Sequence, residues 1–308
     1  MTKTQLKANI LLLLTAAIWG LAFVAQKVGA EHVGAFTYNG IRFALGSISL
    51  IPLILFLNKK KGENEETKNN DRDSLKLTVK AGIIAGCALF IATSLQQMGV
   101  MGTTAGKAGF ITGLYMVIVP ILGLFLKQKV NKSTWIGIVI AIIGLYLLSI
   151  NEDFSISNGD LLVLIGSVGW AIHILLIDNF TKKIDPLKLS SIQFATCSIL
   201  SLVMAIIFED INMVGISGAM VSILYGGLLS VGVAYTLQVV AQKNAKPSHA
   251  AILLSMESVF GALGGAMFLG ERIGTRGLVG CILIFIAIII SQLKPSEKGS
   301  KDMAKNIQ

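Results

Sequence analysis

Residues 41–48 read IRFALGSI, and residues 192–199 read IQFATCSI. The two strings share Ile, Phe, Ala, Ser and Ile at matching places, at an offset of 151. The same offset lays Trp19 on Trp170, each about midway along an apolar run. Weaker matches continue downstream at an offset of 142, where Leu95-Gln96 meets Leu237-Gln238 and the Gly123 region meets Gly265. A difference in loop length accounts for the change of offset. The chain therefore reads as one unit written twice.

Working outward from the two strings, each copy holds five apolar runs. They fall at about 8–29, 35–57, 77–98, 104–126 and 133–150, then at about 160–180, 187–208, 218–240, 247–269 and 275–293. Runs of about 20 residues cross the roughly 30 Å hydrocarbon layer as helices. Of the 308 residues, 54% are apolar and only 14% charged, against about 25% charged in soluble domains. Little chain is left for a soluble domain at either end. The first run follows Lys3 and Lys7, but it is longer than the apolar region of a signal peptide and no small-residue cleavage site follows it. It is expected to be an uncleaved first span.

Sidedness comes from the positive-inside rule. With both ends cytoplasmic, the inside segments hold Lys3 and Lys7, the seven basic residues from Lys59 to Lys80, Lys127, Lys129, Lys132, Lys182, Lys183, Lys188, Lys243, Lys246 and the four lysines from Lys294 onward. These are 21 of the 26 Lys and Arg. Lys27, Arg272 and Arg276 remain outside, Arg42 and Lys107 lie within spans, and the loops 151–159 and 209–218 carry no Lys or Arg. The net charge of +9 thus reports orientation, and no nucleic-acid partner is expected. Five spans per copy is an odd number, so the second copy enters the membrane from the opposite side. The expected fold is an all-α integral membrane protein with ten transmembrane helices in two inverted five-helix repeats, 8–150 and 160–293, with N and C termini cytoplasmic. A polar linker over 58–74, NKKKGENEETKNNDRDS, and a tail over 294–308 complete it. Cys87, Cys197 and Cys281 all fall within spans and read as packing residues.

Inverted repeats place a binding site near the midplane between halves that rock against each other. At this point a family resemblance becomes specific. AAIWGLAFVAQK in span one, IRFALGSISLIPL in span two, TTAGKAGFITGLYMVIVPILG in span four and SMESVFGALGGAMFLGER in span nine resemble the drug/metabolite transporter superfamily, in its EamA branch. The resemblance covers about residues 9–293. It implies export or exchange of small metabolites, with amino acids well represented. The chain departs from its own repeat after span four, where LKQK stands in place of an acid matching Glu271.

A charge within a span is costly and usually faces a cavity or a partner, which singles out three residues. Glu257 lies ten residues into span nine, about 15 Å deep. It reads as a proton acceptor or cation ligand, or as a structural acid paired with Arg42 or a backbone donor. Lys107, in GTTAGKAG, reads as a substrate-carboxylate contact or as a side chain snorkelling to the outer interface. Arg42 aligns with Gln193, so a polar group recurs there without a fixed charge; a helix-orienting role competes with substrate contact. Trp19 and Trp170 sit away from the headgroup level, where Trp collects, and read as opposite walls of one cavity or as core. His173, three residues after Trp170, shares its helix face and is a candidate titrating group or a hydrogen-bonded packing residue. Gln97, Tyr115, Tyr235 and Gln238 are further sources of polar contacts. Gly82/Gly86, Gly109/Gly113 and Gly261/Gly265 carry small-residue spacing that lets membrane helices approach, and Pro52, Pro120 and Pro247 mark bends.

The expected function is secondary transport of small metabolites, amino acids or related compounds foremost, out of the cell by alternating access through a central cavity in the inner or plasma membrane. Proton coupling through Glu257 is part of that expectation. Export of cationic drugs or other metabolites is the main alternative. A nucleotide-linked sugar would call for more basic groups than Arg42 and Lys107. A membrane-embedded enzyme is the distant alternative: there is no HExxH, GxSxG or GxxxxGK[ST], so neither catalytic nor metal-ligating residues are assigned, and no cofactor is expected.

Overall fold

The computed structural model describes residues 3–61, 68–103, 105–128, 130–149, 157–270 and 273–291. Most of the loop 151–159, Glu271, Arg272 and the tail 294–308 lie outside the described residues. Every regular element among the described residues is helical. In the first half these are α1 (Lys3–Gly29), α2 (Ala35–Lys61), α3 (Lys68–Met101), α4 (Ala105–Gly113), α5 (Tyr115–Phe125) and α6 (Lys132–Ser149). The second half has α7 (Asn158–Phe180), α8 (Pro186–Phe208), α9 (Met213–Gly218), α10 (Met220–Leu224), a π-helical segment (Tyr225–Tyr235), α11 (Thr236–Gln242), α12 (Pro247–Leu254), α13 (Glu257–Phe268) and α14 (Thr275–Ser291).

Among the described residues, eight stretches are long and apolar enough to cross a membrane: Lys3–Gly29, Ala35–Lys59, Leu75–Met101, Lys107–Phe125, Asn158–Phe180, Pro186–Phe208, Met220–Gln242 and Pro247–Phe268. The two remaining runs form shorter apolar helices, Lys132–Leu148 and Thr275–Ser291. At 1.5 Å per residue, the 17 residues of α14 reach about 26 Å, just under the hydrocarbon thickness. These two short helices pack on each other. At their crossing, a Cβ on Gly280 would stand 2.5 Å from the Gly144 carbonyl oxygen, so the two backbones touch where no larger residue fits.

Of the polar stretch 58–74, residues 62–67 lie outside the described residues. α2 runs on through Lys61 and α3 begins at Lys68, because neither flank contains the Pro or Gly that would stop a helix; Gly62 is the first such residue. Helix starts in the second half follow their sequence signals. Ser157 and Asp160 form a reciprocal capping box at α7, and Asp185 caps α8 with Pro186 at its first position. The start of α2 is capped from elsewhere in the chain. The Glu209 carboxylate accepts from Phe36 N at 2.7 Å, Thr37 N at 2.8 Å and the Thr37 hydroxyl at 2.7 Å.

The halves interleave. α2 packs on α8 and α6 on α14, while α3 lies against α7 and α8. The corresponding third run of the second half, from α10 through α11, lies against α1 and α2. α1 meets α13 as α7 meets α4 and α5. One buried cluster therefore draws on both halves, including Trp19, Phe43, Trp170, Phe194 and Tyr235. Large apolar residues such as Phe56, Ile206 and Val221 lie exposed on the outside of the bundle, where lipid rather than water suits them.

Candidate functional site

Two of the long runs are broken at matching places. α4 gives way to α5 at Leu114, and α12 gives way to α13 at Ser255-Met256. The residues that follow the breaks, Tyr115 and Glu257, stand 142 apart, the offset of the downstream repeat. Discontinuous membrane helices free backbone groups and turn side chains inward near a binding site. Here they bring Thr112, Tyr115 and Glu257 to one central cavity, with Glu257 in the first turn of α13.

The other walls come from both halves. α1 supplies Trp19, Phe23 and Gln26; α2 supplies Arg42; α3 supplies Gln96; α7 supplies Trp170 and Ile174. The π-helical segment supplies Ser230 and Tyr235, and α11 supplies Gln238. About 20 Å³ is open to the centre of a water-sized sphere, room for about one water molecule. In this conformation the site is nearly closed.

Its aromatic side is a three-ring cluster. Tyr235 lies 4.5 Å from Trp19 and stacks at 5.9 Å on Trp170, and the two Trp rings are 6.1 Å apart. The Trp170 indole donates to Gln96 Oε1 at 2.8 Å, and the Trp19 indole donates to the Ser230 carbonyl at 3.3 Å.

The cavity's two charged lining residues are Arg42 and Glu257, each 3% exposed. Arg42 Nε donates to Asn39 Oδ1 at 3.0 Å, and its guanidinium sits 5.2 Å from the Tyr38 ring and 5.0 Å from the Phe43 ring. These rings favour the cation, but no carboxylate among the described residues pairs with it. Glu257 Oε1 is buried without a hydrogen-bond partner, as are Gln26 Oε1, Thr112 Oγ1 and both polar atoms of the Gln238 amide. Buried polar atoms are nearly always satisfied, so their presence together around one cavity marks a place made for a polar guest.

Four of the six residues singled out from the sequence line this cavity: Trp19, Arg42, Trp170 and Glu257. His173 lies behind the wall. It is fully buried, its ring stands edge-on to Trp170 at 6.0 Å, and its Nε2 is 2.9 Å from Gln193 Oε1. Lys107 belongs to a separate cluster at one end of the bundle. Its ammonium lies 3.9 Å from Asp160, whose other oxygen accepts from the Thr103 hydroxyl. Beside them Lys27 donates to the Val100 and Thr103 carbonyls at 3.2 and 3.0 Å, supplying charge to the open C-terminal carbonyls of α3. Asp160 and the cavity residues Gln26, Gln96 and Thr112 were not legible as site residues. Of these only Gln96 left a signal, its place in the Leu-Gln pair that recurs in the second half.

At the opposite end, where the segments after α5, α7 and α11 converge, a vestibule of about 440 Å³ by the same measure opens among Asn131, Asp178, Lys182, Gln242, Lys246 and His249. Gln242 links it to the cavity wall, its amide donating to the Ile174 carbonyl at 3.1 Å. Among the described residues no group of three or more His, Cys, Asp or Glu is placed to hold a metal ion.

A bundle of long apolar helices around a closed polar cavity, with a vestibule at one end, defines a multi-pass membrane transporter. The sequence profile of the EamA-like transporter family matches residues 6–150 and again 157–293, and the chain belongs to that family and to the cell membrane. It is similar to an uncharacterized transporter of Archaeoglobus fulgidus, with 30% identity across 94% of this chain and 87% of the relative. It is also similar to the uncharacterized transporter YoaV of Bacillus subtilis, with 25% identity across 89% and 92%. A crystal structure of a protein 15% identical in sequence superposes with a TM-score of 0.74 over 92% of this chain and 96% of its own. At that identity the likeness concerns the fold.

Proposed function

We propose that the chain exports small zwitterionic metabolites, amino acids or related compounds, through the central cavity by alternating access. The observation that carries this reading is that one cavity is lined by a buried Arg42, with no carboxylate partner among the described residues, and by a buried Glu257 with an unpartnered oxygen. A guanidinium complements a carboxylate in forked geometry, and a carboxylate complements an ammonium. Opposite charges on the guest would meet opposite charges on the wall, and the three-ring cluster would take its apolar part.

The orientation in this reading has both termini in the cytoplasm, ten spans and two inverted five-helix repeats, 8–150 and 160–293. The exchange of packing partners between halves and the matched breaks before Tyr115 and Glu257 support the repeat. The basic loops around Lys127, Lys182 and Lys246 border the vestibule, and by the positive-inside rule they face the cytoplasm. The Lys107–Asp160 cluster then closes the outer side. Such a conformation is poised to load from inside, as an exporter requires. Cationic drugs are the second reading, favoured by Glu257 among aromatic rings and opposed by Arg42.

Reconstitution into liposomes with each amino acid and a set of small organic cations tests the substrate class. Saturable flux of zwitterions is expected, and the absence of saturable flux for every compound would remove it. Exchange of a proton for substrate at Glu257 is the proposed coupling. Glu257→Gln should lose the dependence of flux on a proton gradient; a variant that keeps it unchanged refutes the coupling.

A further inference from the structure

We infer that Gln238 is a guest-reading residue of the central cavity, its amide kept without a protein partner in order to bind a group that presents a donor and an acceptor side by side. This rests on the reading of the cavity as the substrate site. The reasoning starts from a broken symmetry. Gln96 and Gln238 are repeat mates at an offset of 142, and Trp170 and Trp19 are repeat mates at an offset of 151. In one half of the comparison, Gln96 of the first copy accepts from the Trp170 indole of the second at 2.8 Å. If the relation were mirrored, Gln238 would accept from the Trp19 indole. It does not: Trp19 donates to the Ser230 carbonyl.

The local backbone explains the substitution. Ser230 sits within the π-helical segment Tyr225–Tyr235, where hydrogen bonding runs i→i+5 and the carbonyls are set differently from those of an α-helix. The carbonyl of Ser230 takes the indole, and Gln238, a short way further along in α11, is released. It is fully buried, yet neither its Nε2 nor its Oε1 has a hydrogen-bond partner. Two unpartnered polar atoms on one buried side chain are costly, and a leucine of similar size would avoid the cost. The amide lines the cavity with Arg42 and Glu257. A planar amide offers donor and acceptor in one plane, which suits an amino-carboxylate or a carboxamide and discriminates against apolar isosteres.

The test compares Gln238→Leu with Gln96→Leu in purified protein and in proteoliposomes. Without guest, Gln238→Leu should melt no lower than the parent, because it removes an unsatisfied group. Gln96→Leu should melt lower, because it strands the Trp170 indole. If Gln238→Leu falls as far as Gln96→Leu, Gln238 is held structurally and the inference is wrong. In uptake of each of the twenty L-amino acids, Gln238→Leu should raise KM about tenfold for the transported ones, the loss of two ordinary hydrogen bonds, with Vmax largely kept. An unchanged KM overturns the inference while leaving the substrate class intact. A lowered Vmax at unchanged KM, shared by Trp19→Phe, would instead make Gln238 an alternative partner of the Trp19 indole during rearrangement, and would also overturn it. If the parent protein moves no amino acid, the substrate reading falls, and the guest-free melting comparison alone decides whether Gln238 is a structural residue.

Discussion

Lys107 and Asp160 face each other at 3.9 Å across the two halves of the chain, and Asp160 also holds the Thr103 hydroxyl and the capping box of α7. One carboxylate thus joins the start of α7 to the region between α3 and α4 at the closed end of the bundle. Asp160→Asn should weaken that closure by about 0.5–1 kcal/mol, the range of a partly exposed pair, while leaving the amide oxygen to cap. In a variant with Cys87, Cys197 and Cys281 replaced and Ala22→Cys added on the cavity wall, an impermeant thiol reagent applied from the Lys107 side should label several-fold faster. Exchanging the two charges, Lys107→Asp with Asp160→Lys, should recover part of the protection. Equal labelling in all three would show that the pair does not hold the closure.

Gly20 follows Trp19 for a steric reason. A Cβ there would stand 2.4 Å from Phe260 Cβ and 2.6 Å from the Glu257 carbonyl oxygen, both on α13. Gly20→Ala should cost about 1–3 kcal/mol by overpacking and disturb the wall that carries Glu257. Gly274, with nothing within 4 Å of an added Cβ, is the control. Thermal unfolding in detergent should separate the two variants by several degrees.

Glu209 caps a helix that begins far from it in sequence. Glu209→Ala removes three hydrogen bonds at the start of α2 and should lower stability by about 1–2 kcal/mol. Glu209→Gln keeps one acceptor oxygen and should fall between. Melting curves of the three proteins check the order.

Arg42 is anchored by Asn39 and two aromatic faces. Arg42→Lys keeps the charge but loses the planar fork. It should raise the KM of a transported zwitterion about tenfold, with a melting shift of only a few degrees, and Arg42→Met should abolish saturable flux. Unchanged flux in Arg42→Met would remove Arg42 from the substrate site.

The apolar runs were legible because each is about as long as a bilayer is thick, and the sequence match of Trp19 with Trp170 suggested how the halves pair. Arg42 and Glu257 were legible as exceptions: charges in apolar runs are few enough to notice. The breaks at Leu114 and Ser255 were not, because no Pro stands at either one and both lie inside runs long enough to cross a membrane. Gln26 and Thr112 were lost among other uncharged polar residues within spans. Lys107 was conspicuous, but its partner stands at the first turn of a helix in the other half, and sequence spacing says nothing about that distance.

The π-helical segment Tyr225–Tyr235 acts as a phase shifter in a long membrane crossing. It turns the residues after it, Gln238 among them, to an azimuth that an unbroken α-helix of equal length would not give. Deleting one residue there, with the bonding of the rest unchanged, would swing everything downstream by roughly a quarter turn. Such a variant would insert into the membrane with its hydrophobic length nearly unchanged, yet Gln238 would be turned off the cavity wall. Among relatives, a one-residue difference in this span is therefore a difference in which side chains meet the cavity, even where every other position aligns.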